Sequence, residues 1–180
     1  MNGRMPSEEH CETCKAYIQA ARKKHLDSPQ YKKKKLIKSC DALMSLIVRI
    51  KANWTCVKCQ RHYPPFISQR SGLPAQNIMT NSHYFGRGKW GTRFDFNNCD
   101  GMCIFCHQKV ENNKKETVEG FNYEAYMIAK IGEAKLELLR QKSLMRMQYR
   151  EGQLLQLQAE LKAELETLLD YHRESEIIIP

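Results

Sequence analysis

The amino-acid sequence predicts an α+β protein in which a small core of short strands and one helix, stapled by metal, lies between helical N- and C-terminal regions. Three observations lead there. Residues 52–110 hold both tryptophans, the turn formers Pro64, Pro65, Gly86, Gly88 and Gly91, and two Cys-x2-Cys pairs, Cys56/Cys59 and Cys103/Cys106. A Cys-x2-Cys turn offers two sulfurs from one tight loop, and two such turns complete the tetrahedral site that zinc takes in structural roles. Apolar residues recur at helical spacing before this stretch, and the chain reads as helix after Asn112. The expected divisions are a basic helical region over 1–51, a zinc-containing core over 52–117 and a helical region over 118–180.

Taken in order, a short helix is expected across Glu12 to His25. From Lys32 to Lys51, Leu36, Ile37, Cys40, Leu43, Met44, Ile47 and Ile50 recur at three and four, as one buried helical face requires. Lys32 to Lys35 then fall in its first turns, where positive charge opposes the macrodipole, so they are not there for helix stability. In the core, strands are expected at Asn77 to Phe85 and around Thr92 to Phe96, with a helix from near Cys103 carrying Phe105 and His107. That order sets His83 at the end of the first strand and Asn98 just after the second. Phe121, Tyr126, Met127 and Ile131 suit a helix packed back on the core, with Gly132 and Gly152 as weak points. Leu154, Leu157, Leu161, Leu165 and Leu168 form a stripe that serves equally as a homodimer seam or as the inner face of a helix folded back on the body.

The chain has 180 residues, enough for one ordinary core or a smaller one with helical extensions, and its net charge is +9. The charge is uneven: residues 21–61 hold 12 Lys and Arg against 2 acids, whereas residues 118–180 hold 8 against 11. A basic front half points to a polyanion, DNA or RNA being the usual one, with a solvated lysine-rich stretch as the plain alternative. No apolar run approaches the ~20 residues of a membrane span. The first residues lack the apolar centre of a signal peptide, so an intracellular protein is expected. Cys40 and Cys99 read as small buried hydrophobes. Cys11 and Cys14 make a half site that His10, His25, Cys40 or a second subunit would have to complete, or else stay free thiols. His62 and His172 read as surface residues.

The stretch between the knuckles carries its own chemistry. Phosphodiester hydrolysis needs a cation to neutralise charge on the phosphate and a base to deprotonate water, and histidine suits the base because it titrates near neutrality. His83 is followed at +15 by Asn98 and at +24 by His107, with zinc fixing the frame. Arg87, Lys89, Arg93 and Lys109 surround these positions and either grip phosphates or stand as solvent-exposed charge.

The order Cys56-x2-Cys59, Ser82-His83-Tyr84, Asn98, Cys103-x2-Cys106-His107 resembles the HNH endonucleases with the ββα-metal fold. The fuller string Ser82 to Gly88, then Arg93-Phe94-Asp95, Asn98 and the second knuckle, is similar to the phage NinG (Rap) recombination proteins, over roughly Trp54 to Leu139. The resemblance implies a DNA endonuclease in which His83 is the general base, Asn98 orients it and braces the loop, and His107 binds a catalytic Mg²⁺ or Mn²⁺. The zinc is then structural, as in phage endonuclease VII, and the substrate is double-stranded or branched DNA in recombination, in a bacterial host's cytoplasm if the chain is phage-encoded. Three positions depart from the pattern: Ser82 stands where many HNH enzymes have Asp or His, His107 where NinG-type chains have Asn, and Asn112-Asn113 where they have Gly-Asn. The missing carboxylate leaves Glu111 and Asp95 as the nearest candidates to supply a further ligand. The competing readings are a zinc-ribbon or treble-clef DNA-binding module without catalysis, kept open by Ser82, and an RNA-processing factor.

Overall fold

Helix α2, Pro29–Lys51, is the member on which the rest is assembled. The computed structural model describes residues 12–67, 72, 74–75, 78–111, 113–114 and 116–176. The α2 helix begins three residues before the sequence expectation, because the Ser28 side chain accepts from Tyr31 N and Pro29 supplies a preformed first turn. Ahead of it, α1 (Glu12–Asp27) is exposed at Glu12 and from Cys14 to Asp27. Cys40, Met44, Ile47 and Ile50 are buried as the one-face pattern requires, but so are Leu46, Val48 and Arg49. The reason is that the second half of α2 is covered on two sides: a strand ribbon lies along one and the last helix, α6 (Glu151–Glu176), along the other.

Two short strands, β1 (Phe66–Ile67) and β2 (Pro74–Ala75), form a first antiparallel pair. The central ribbon pairs β3 (Met79–His83) with β4 (Cys99–Cys103), antiparallel, in the register Met79↔Cys103 through His83↔Cys99. The first strand lies inside the expected span but is shorter, since Ile78, Tyr84 and Phe85 are outside it; Asn77 lies outside the described residues. The second strand does not lie in its expected span. Thr92 to Phe96 are successive turns, with Asp95 N bonded to Thr92 O and the Asp95 side chain accepting from Asn97 N at the start of a 3-10 turn, Phe96–Asn98. Their aromatic and β-branched composition mimics a strand, but local capping wins, and Asn98 stands just before β4 instead of after a strand. Helix α3 (Ile104–Val110) then starts from Cys103 as expected.

After α3 the chain is not helical throughout. A hairpin of β5 (Thr117–Val118) and β6 (Phe121–Asn122) turns at Glu119 and Gly120, with φ of 51° and 78°. Helices α4 (Tyr123–Ile131) and α5 (Glu133–Leu144) break at Gly132, φ 82°, but the next break is the non-helical segment 145–150, and Gly152 lies inside α6. The leucine stripe faces α2 in the same chain: Leu154, Leu161 and Leu165 are buried, and Leu157 and Leu168 half-buried. Contacts from Cys40 to Leu154, Ser39 to Gln158 and Lys51 to Glu164 show that α6 runs beside α2 in the same direction. No helix among the described residues is long and apolar enough to cross a membrane.

Candidate functional site

The two knuckles are brought together by backbone geometry on either side of β4. The first leaves α2 through Asn53 and Trp54, both at positive φ, and closes as a turn with Gln60 N bonded to Cys56 O at 2.9 Å. Val57 N donates to Gly101 O at 3.0 Å, which pins this turn to β4. The second knuckle is the junction of β4 and α3, held by Ile104 N donating to Ile78 O. As a result the sulfurs of Cys56, Cys59, Cys103 and Cys106 all lie within 4.8 Å of one another, with Cys59 and Cys103 at 4.0 Å. Four thiolates at ~2.3 Å from a tetrahedral ion stand about 3.8 Å apart, so this set fits one metal ion. Burial pushes the Cys56 and Cys106 thiols up, a state that a bound cation relieves by taking the thiolates as ligands. Tyr63 adds a hydrogen bond to the Cys103 sulfur, which pushes its own hydroxyl up to about 12. Glu119, from the β5–β6 turn, reaches both knuckles by pairing with Lys58 at 2.7 Å and with Lys109.

His83 is the last residue of β3 and is buried. Its Nε2 sits 3.2 Å from the carbonyl of Arg93, so that nitrogen carries the proton and Nδ1 keeps its lone pair. Burial holds the imidazole down to about 4, outweighing the Arg93 carbonyl, so the ring is neutral at pH 7. The Asn98 side chain bonds to backbone groups instead of the ring. Fully buried, it donates to Phe85 O and Thr92 O and accepts from Phe85 N at 2.7 Å, closing the loop between β3 and β4 that presents the Arg93 carbonyl. Lys114 supports the same loop from the other side, donating to His83 O at 2.9 Å and Tyr84 O at 2.6 Å.

His107 is half-buried on α3, with Nδ1 3.1 Å from Thr80 Oγ1. The Thr80 hydroxyl already donates to Met102 O at 2.8 Å, so it accepts from His107 Nδ1–H, and the Nε2 lone pair is left as a ligand. Burial lowers the His107 pKa, and Glu111 one turn on opposes this. The positive charge of the exposed Arg87 adds to burial, as a lesser influence, in lowering the pKa of both rings.

The other expected residues divide by their partners. Arg87 and Lys89 are exposed and form no ion pair among the described residues. Arg93 is instead part of the scaffold: it forks onto Asp41 at 3.0 and 2.5 Å, donates to Arg87 O, and stacks 4.6 Å over Trp90. Lys109 pairs with Glu119 beside the second knuckle. Asp95 pairs with Lys142 at 3.0 Å and caps its own turn, which removes it as a ligand candidate. Glu111, exposed, is the carboxylate that acts on His107. Cys40 and Cys99 are buried, and burial pushes Cys99 up to about 12, as a small hydrophobe requires. Cys11, His10 and Asn112 lie outside the described residues; Cys14 is exposed.

Sequence reasoning missed a buried polar cluster behind the ribbon. Asp100 pairs across strands with Ser82 and accepts from Tyr123 at 3.1 Å, Tyr126 at 3.0 Å and Lys130 at 2.8 Å. Tyr123 also reaches Ser82 Oγ at 3.5 Å, and Ser82 is 1% exposed. A carboxylate and two tyrosines separated by 23 and 26 residues leave no periodic signal; the one available clue was a charged residue inside an otherwise small and apolar strand. No protein family, curated protein or solved structure matches the chain.

Proposed function

We propose that the chain is a metal-dependent DNA endonuclease of the HNH kind, similar to the NinG recombination proteins, with a structural zinc at Cys56, Cys59, Cys103 and Cys106. The observation that carries the reading is two differently prepared imidazoles tied to one strand: His83, at the end of β3, with its Nδ1 lone pair free, and His107 on α3, held to Thr80 of the same strand, with its Nε2 lone pair free. In a hydrolysis the neutral His83 takes the proton of the attacking water at Nδ1, while its Nε2–H stays on the Arg93 carbonyl and fixes the tautomer. Asn98 and Lys114 hold the loop that carries this carbonyl, so the ring keeps its aim. Arg87 meets the phosphate. His107 Nε2 and the Glu111 carboxylate are the donors for Mg²⁺ or Mn²⁺, the remaining positions falling to water and phosphate oxygens. The ion, when bound, supplies the charge neutralisation that phosphodiester cleavage needs.

A second reading, a zinc-dependent DNA-binding module without catalysis, is favoured by one observation: Ser82, in the position of a metal ligand, is buried against Tyr123. Cleavage of a four-way DNA junction with Mg²⁺ or Mn²⁺, compared with the same assay on RNA and with His83→Ala, separates these. Metal-dependent cutting of DNA that vanishes in the variant supports the enzyme. Tight junction binding with no cutting in either metal supports the module.

A further inference from the structure

The loop that braces His83 has a second face, and it borders a cavity of about 650 Å³ between that loop and the segment that follows α5. Lys89, Trp90, Leu144, Met145, Arg146 and Met147 line it. Its apolar wall faces solvent: Leu144 is 72% and Met145 60% exposed. Trp90 carries the Arg93 guanidinium over one side of its ring, 4.6 Å from the centre, and has Tyr149 tilted beside it at 6.3 Å. The charges nearby fall into two groups. Arg93, Arg140 and Lys142 are paired with Asp41, Glu124 and Asp95. Lys89 and Arg146 in the cavity wall, and Arg87 and Arg150 beyond it in the two segments, form no ion pair among the described residues and are exposed.

An aromatic ring fixed in a cavity with apolar neighbours and unneutralised cations at its rim is the composition that binds a nucleobase by its face and the adjoining phosphates by charge. A fully paired duplex hides base faces in its stack, so only an unpaired base can use it. We propose that this cavity receives an unpaired DNA base, stacked on Trp90, with Lys89 and Arg146 on the flanking phosphates, and so selects branched or distorted DNA for the adjacent site. The inference rests on reading the chain as a DNA-binding protein but not on cleavage.

The test uses the full chain carrying His83→Ala, without added Mg²⁺ or Mn²⁺, so that binding is measured apart from cutting. The probes are oligothymidine, a duplex with one bulged base, and the same duplex fully paired. Trp54 is 5% exposed and serves as the internal reference, so quenching of tryptophan fluorescence reports Trp90. Oligothymidine and the bulged duplex should quench it and the paired duplex should not. Trp90→Ala should weaken binding of the first two about tenfold and leave the third unchanged, with Trp90→Phe keeping most of the affinity. A Lys89→Gln, Arg146→Gln double variant, which leaves the ring in place, should bind all DNA more weakly and flatten the salt dependence. Unchanged fluorescence with the bulged duplex, equal affinity of Trp90→Ala and its parent, or a loss as large on the paired duplex overturns the inference. If no preparation ever cuts DNA and the Trp90 pattern still appears, the nuclease reading fails and this one stands; cutting with no Trp90 effect has the reverse meaning.

Discussion

Replacing Cys59 by serine is the most informative single change, because that residue lies at the rim of the sulfur cluster and its loss removes a ligand with little steric disturbance. An ion held by all four sulfurs ties the first knuckle to the second, Cys59 and Cys103 being 44 residues apart, and a variant that no longer retains the ion opens a loop of that length. Treated as a cross-link, such a closure removes about 4 kcal/mol of chain entropy from the unfolded state. A protein of this size shifts its midpoint by roughly 2–4 °C per kcal/mol, so Cys59→Ser should lower Tm by about 8–16 °C. The same shift should follow when the parent is treated with a strong zinc chelator, and the two should not add. The assay is thermal unfolding followed by circular dichroism, alongside metal content of protein purified without added zinc, where one ion per chain is expected. Cys14→Ala, at an exposed position, serves as the control and should fall within about 0.5 kcal/mol of the parent. Protein that is folded but metal-free, or a Cys59→Ser variant that melts with its parent, refutes the argument.

Other outcomes follow from single contacts. Lys130→Met removes the cation from Asp100, whose side chain is 4% exposed, and should destabilise by about 3 kcal/mol in urea unfolding; Asp100→Asn in the same background should recover part of the loss. Gly101→Ala sets a new Cβ 2.5 Å from Ala52 Cβ and 3.3 Å from Met79 Cε, between α2 and β4, and should cost about 1–3 kcal/mol through overpacking while leaving metal content intact. His83 is held down to about 4 against an ordinary 6.5, so between those values the unfolded chain takes up a proton that the folded chain refuses. Stability from this source is complete above pH 6.5 and falls by ~3 kcal/mol as pH drops toward 4. Urea midpoints measured across that window should converge for parent and His83→Gln at the acid end; parallel curves count against the burial of this ring.

The parts of the fold that announce themselves in sequence are those fixed by local chemistry. The three-four spacing from Cys40 to Ile50 and a Cys-x2-Cys pair feeding a helix each act within a few residues, and each element formed where its pattern lies. The parts that did not are set by distant partners. Burial of Leu46, Val48 and Arg49 follows from a second covering layer, which a one-helix period cannot reveal. The strand at Cys99–Cys103 has a glycine and an aspartate in it, poor strand formers, and exists because Met79 to His83 pair with it and Lys130 neutralises the aspartate. For the site, the motif residues were legible but their employment was not. Arg93 reads like any phosphate-binding arginine until Asp41, 52 residues earlier, takes both arms of its fork.

The parallel docking of α6 on α2 has a consequence for biosynthesis. Cys40 and Leu154, which touch, are 114 residues apart. At ~5–20 residues per second, roughly 6–23 s separate their emergence from a ribosome. The seam that α6 will cover stays open throughout that interval, and for its last 48 residues, from Cys106 to Leu154, the sulfur cluster is already fully synthesised. The four-cysteine centre is therefore complete in the nascent chain before α6 can close over α2, and the interval before closure is when the chain is most exposed to aggregation.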